Sequence, residues 1–107
     1  MASVKEFFES ELSTRIAERP SLAREVAGIF LFVISGDGGG QWTVNLKAKP
    51  GVAAGDSGDA ECTLECSVDD WREIQAAPQL ATQFYFEGKL RVSGDVLLAT
   101  KLQPLLA

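Results

Sequence analysis

The sequence has no histidine at any of its 107 positions. That absence removes the usual general base, the Ser-His-Asp and Cys-His arrangements, and the commonest metal ligand. A cluster of basic residues is missing too. Ten Lys and Arg stand against 15 Asp and Glu, for a formal net charge of -5, whereas a nucleic-acid footprint needs concentrated positive charge to release counterions. No nucleic-acid partner is expected, and membrane contact is at most transient. No apolar stretch approaches twenty residues and no basic-then-apolar leader opens the chain. Neither a membrane span nor an export signal is therefore expected, and a cytoplasmic location follows by default. Cysteine is scarce. Cys62 and Cys66 lie four apart in an alternating stretch, where their Cα atoms would be roughly 13 Å apart, beyond disulfide reach. They read as small apolar fillers of an inner face, with a reactive or lipid-modified thiol as the alternative.

Several motifs mimic chemistry without its partners. Gly55-Asp56-Ser57-Gly58 resembles a protease nucleophile segment, but Ser57 has no histidine to activate it. The glycines around Asp37 suggest a phosphate cradle, yet such loops lead from a strand into a helix, and these join two strands. Asp56, Asp59 and Glu61 lack the spacing of a calcium loop. Asp69 and Asp70 are explained by a helix start, where acidic groups favour the dipole. No catalytic residue, metal ligand or cofactor site emerges, and the chain is not expected to be an enzyme.

What is present is enough apolar residue, 46%, to build a core in one domain spanning residues 1–107. Residues 3–18 read as an amphipathic helix. Ser3 and Glu6 form a capping box, and Val4, Phe7, Phe8, Leu12 and Ile16 make the apolar stripe. Pro20 ends it, and Ser21 to Ala27 adds a short helix with Leu22 and Val26 inward. Ile29 to Ile34 is a continuous apolar run, a strand buried on both faces and central in its sheet. After the turn at Gly36 to Gly40, Gln41 to Lys47 returns with Trp42, Val44 and Leu46 on one face. Lys49 to Asp59 is loop-like, with room for a short strand at Val52 to Ala54.

Ala60 to Ser67 alternates again, Cys62, Leu64 and Cys66 facing in. Ser67 with Asp70 caps a helix through Trp71 and Ile74 that stops before Pro78, and a second helix from Gln79 to Phe86 turns Leu80, Phe84 and Phe86 inward. Lys89 to Ser93 is a strand between Gly88 and Gly94. Asp95 then caps a helix carrying Leu98, Leu102 and Leu105 on one face, which Pro104 should kink or end. The order indicates an α+β fold with helices on one face of a mostly antiparallel twisted sheet.

Gly88 to Leu105, GKLRVSGDVLLATKLQPL, resembles the C-terminal signature of the sterol carrier protein type 2 (SCP2) family. Gly28 to Lys47 is similar to that family's first hairpin, Ala60 to Ile74 to its inner strand and following helix, and Ala77 to Gly88 to the approach to the signature. The resemblance implies about five strands and an apolar tunnel between sheet and helices. Read alone, Phe30, Phe32, Trp71, Leu98 and Leu102 are ordinary core residues. By motif position the resemblance implies that Phe86, Leu98, Leu102 and Leu105 line a lipid pocket, and it moves Phe30, Phe32 and Trp71 into the same set. Face assignment adds Val44, Leu46, Leu64, Ile74, Leu80 and Phe84.

The expectation is a protein that binds an apolar lipid (fatty acyl chain, acyl-CoA, sterol or similar), without catalysis or cofactor. The competing expectation is an interaction module, a homodimer for instance, using the same fold with no ligand.

Overall fold

The computed structural model describes residues 4–47, 51–56, 58–77 and 79–101. The expected roles of Ser3, Ser57, Pro78, Leu102, Pro104 and Leu105, and the side chain of Leu22, fall outside what is described.

The N-terminal helix forms as its apolar stripe requires, but not as one uniform α-helix. It runs as α1 (Val4–Glu6), a six-residue π-helical segment (Phe7–Leu12) and α2 (Ser13–Glu18). The Ser13 hydroxyl donates to the Phe8 carbonyl five residues back, at 3.4 Å. Val4, Phe7, Phe8, Leu12 and Ile16 are all buried, as the stripe predicts. Pro20 both ends this helix and opens the next, α3 (Pro20–Val26), because proline has no N–H to lose in a first turn.

Five strands follow the expected runs: β1 (Ile29–Ser35), β2 (Gly40–Asn45), β3 (Gly51–Ala54), β4 (Cys62–Ser67) and β5 (Arg91–Gly94). Their order in the sheet is β3-β2-β1-β4-β5, which places β1 at the centre. β1 pairs antiparallel with β2 and parallel with β4, and the other two pairings are antiparallel. Register decides which side chains share a face. Phe30, Phe32 and Ile34 lie opposite Val44, Trp42 and Gly40 on one side, and opposite Cys62, Leu64 and Cys66 on the other. The contiguous core takes its strand residues from this face. On the opposite face Leu31 is buried among cross-strand neighbours Thr43 and Thr63, and the Thr43 hydroxyl donates to the Gly55 carbonyl at 2.7 Å.

The remaining helices are α4 (Val68–Ala76), α5 (Leu80–Glu87) and α6 (Val96–Lys101). Both expected caps form. The Ser67 hydroxyl accepts from the Asp70 N–H at 3.1 Å, and the Asp95 carboxylate accepts from the Leu97 N–H at 3.1 Å. Gly88, at φ 80, ends α5 in the left-handed conformation that glycine adopts without a Cβ penalty, and the Lys89 and Leu90 N–H groups return to the Phe84 carbonyl. Glycine at 28 lets α6 approach: a Cβ there would lie 2.9 Å from Leu98 Cδ1.

One inward assignment is corrected. Phe86 is 79% exposed, because two residues along a helix is a rotation of about 200° and Phe84 already occupies the core-facing position. Its ring meets Tyr85 instead, with centroids 5.6 Å apart.

Candidate functional site

The sheet's apolar face and the helices meet in a cluster whose centre is aromatic. Phe8 comes from the π-helical segment, Phe32 from β1, Trp42 from β2 and Trp71 from α4. The Phe8 ring stacks on Trp42 (centroids 4.7 Å, interplanar 10°) and on Trp71 (5.2 Å, 17°). Phe32 and Phe7 meet Trp71 edge-on at 5.5 and 5.7 Å. The Arg15 guanidinium lies 5.5 Å from the Phe7 centroid, at the outer rim of this group. Such ring pairs add about 0.5–1.5 kcal/mol each beyond the area they bury.

Around this centre the structure gathers most of the residues expected to line a pocket. Phe30, Phe32, Val44, Leu46, Leu64, Trp71, Ile74, Phe84 and Leu98 all belong to one contiguous buried cluster, and Leu80 packs against its edge. Phe86 does not join it, and Leu102 and Leu105 lie outside the described residues. Phe7, Phe8 and Trp42 are central here although the expected lining omits them. For Trp42 the signal is present in the sequence, since it alternates with Val44 and Leu46. For Phe7 and Phe8 the stripe shows burial but not which partner they meet.

The interior is almost free of polar groups. Among the described residues Thr43 is the one buried polar residue, and it belongs to the opposite face of the sheet. The two indoles differ in their partners. Trp42 Nε1–H donates to the Glu9 carboxylate at 3.3 Å, which ties the π-helical segment to β2. Trp71 is only 2% exposed, and its Nε1–H has no hydrogen-bond partner among the described residues.

Both cysteines are free and buried. Burial pushes the Cys66 thiol from 9.0 up to about 12, with Asp70 and Glu65 adding to the shift, and Cys62 up to about 11, with Asp95 adding. Such thiols are poor nucleophiles, since the thiolate is the reactive form. The direction also sets a pH dependence. Each thiol keeps its proton to higher pH when folded than when unfolded, so its stabilising contribution is complete below pH 9 and is lost as pH rises toward 11 and 12. Thermal melts across that window should show a steeper decline for the parent chain than for the Cys62→Ala/Cys66→Ala variant. Parallel declines would rule the thiols out as the cause.

The model of the SCP-2 sterol transfer family matches residues 9–107. Hydroxysteroid dehydrogenase-like protein 2 of Homo sapiens is 32% identical over 87 residues, which cover 79% of this chain and 21% of that protein. Sterol carrier protein 2 of Gallus gallus is 30% identical over 92 residues, 82% of this chain and 17% of that one. The chain thus spans about a fifth of the length of these curated relatives. Among solved structures, palmitated SCP2L2 from Aedes aegypti superposes with a TM-score of 0.79 at 28% identity, covering 98% of this chain and 95% of its own.

Proposed function

The chain belongs to the SCP-2 sterol transfer family, and from that premise we propose that it holds one apolar lipid between its helices and its sheet and releases it unchanged. The cargo is a fatty acyl chain, acyl-CoA, sterol or similar molecule, passed between membranes or enzymes. No bond is made or broken. The observation that carries this reading is the single apolar cluster that the N-terminal helix, α3, α4, α5 and α6 form with β1, β2 and β4, which has no buried charged side chain among the described residues. The likeness to a palmitated relative supports the same ligand class.

The energetics suit a tail. Burying a methylene is worth about 0.8 kcal/mol, so roughly ten give on the order of 8 kcal/mol before ordering costs. Longer tails then reach about micromolar affinity. An empty tunnel of about 500 Å³ would cost near 12 kcal/mol at roughly 24 cal/mol per Å³, comparable to the whole stability of a small domain. The free protein should therefore close over its own side chains or keep a lipid through purification. Native mass spectrometry of freshly purified protein, followed by solvent extraction, should return a lipid or a bare mass that gains one lipid on addition. A bare mass that gains none would reject the proposal.

One observation favours a second reading. Tyr85 is 40%, Phe86 79% and Leu97 73% exposed, and the paired rings of Tyr85 and Phe86 on α5 suit contact with a second copy of the chain. A concentration-dependent mass without lipid uptake would put this reading first.

A further inference from the structure

We propose that the Trp71 indole N–H is the polar anchor of the lipid site, a donor kept for a neutral acceptor oxygen on the cargo. This rests on the lipid-binding reading and narrows it to oxygen-bearing lipids, through an ester carbonyl or a hydroxyl, in preference to bare hydrocarbon.

Trp71 Nε1 is the buried side-chain polar atom that lacks a partner among the described residues. Buried donors are nearly always paired, and an orphan calls for a group that completes it. Phe7, Phe8 and Phe32 close on the indole at centroid distances of 5.7, 5.2 and 5.5 Å. None of these rings carries an acceptor oxygen, and an N–H directed at a ring face is a weak substitute. A trapped water fits poorly as well, since buried waters make about three hydrogen bonds and this aromatic surround offers few. Contrast within the molecule sharpens the point. The other indole, in the same cluster, has a carboxylate of its own in Glu9.

The charge state of the acceptor follows from the surroundings. No charged side chain is buried among the described residues, and an ionised carboxylate in an apolar interior needs a paired cation as well as hydrogen bonds. A single neutral N–H matches a neutral oxygen. An ionised fatty acid would accordingly keep its head at the solvent edge and leave Trp71 unpaired.

The test uses the indole resonances in a nitrogen-proton NMR spectrum. The chain has two tryptophans, so Trp42, already paired with Glu9, serves as the internal reference. Dodecanol and methyl dodecanoate should move the Trp71 peak downfield relative to its position with dodecane bound, while the Trp42 peak responds alike to all three probes. Dodecanol should also bind about tenfold more tightly than dodecane, the range of one buried hydrogen bond. Trp71→Phe should bring that ratio to about one. Equal responses to dodecanol and dodecane, or bound probes that leave the Trp71 peak where it was, would overturn the anchor while sparing the lipid reading. Failure of all three probes to bind would overturn both. The spectrum of the parent chain decides even where Trp71→Phe fails to fold.

Discussion

Phe8→Ala is expected to destabilise the protein by about 3–5 kcal/mol, the range for removing a fully buried aromatic side chain. Phe8 has no exposed surface and stacks between the two indoles, so the variant loses a large buried area and both stacks. It also removes the ring that joins the π-helical segment to both indoles, leaving Phe7, Leu12 and the Glu9–Trp42 hydrogen bond to hold that segment. In a domain of this size each kcal/mol moves the melting temperature by roughly 4–8 °C, so a fall of about 12 °C or more should appear in a thermal melt. Phe86→Ala is the control. Its ring is largely in solvent, so the change in stability should stay within about 0.5 kcal/mol. Equal losses from the two variants would mean that the aromatic centre does not hold the helices to the sheet.

Gly94→Ala is the second large effect, expected at about 2–5 kcal/mol. Gly94 adopts φ 85, and a Cβ there would collide with the Glu61 carbonyl oxygen, a backbone atom with little freedom to move. The left-handed conformation costs an L-residue roughly 1–2 kcal/mol, and overpacking adds about 1–3 more. Gly88 separates the two terms. It has φ 80 but nothing within 4 Å of a Cβ, so Gly88→Ala should lose only the conformational part, about 1–2 kcal/mol. Chemical denaturation of both variants measures the difference directly. Gly94 also sits where β5 hands over to α6, opposite Cys62, and the Asp95 N–H bonds to Glu61 beside it. A side chain there should loosen the β4–β5 edge as well as lower the global stability.

These two glycines show what a sequence discloses and what it withholds. Gly88 and Gly94 are visible as punctuation around an alternating strand. The collision that separates them depends on β4 lying against β5, which no local pattern encodes. The same holds for the sheet. Alternation in Trp42–Val44–Leu46 and Cys62–Leu64–Cys66 fixes which side chains share a face, because a strand's period is two. It does not say which edge of β1 receives β4, nor that this pairing is parallel. Local chemistry was legible where it is self-contained, as in the caps at Ser67 and Asp95.

Burial was legible to the extent that it follows periodicity. Phe30, Val44, Ile74 and Phe84 entered the core because each sits in phase with apolar neighbours. Phe86 did not, because it lies two residues beyond Phe84 on the same helix and so points into solvent. The π-helical segment was not foreseen, as the stripe of Val4, Phe7, Phe8 and Leu12 suits an ordinary α-helix equally well. The unpaired donor of Trp71 lies beyond any one-dimensional reading. Whether an indole finds an acceptor depends on neighbours from three separate elements.

Entry of a lipid tail into this apolar cluster is measured most directly by titrating delipidated protein with a fluorescent fatty acyl probe. The parent chain should give saturable uptake of about one probe per chain at roughly micromolar affinity. Leu98→Asp, placed where α6 meets Gly28, should weaken uptake by tenfold or more in a protein whose circular dichroism still shows the fold. Linear, unsaturable partition, or saturable binding that ignores a charge at Leu98, would contradict the account.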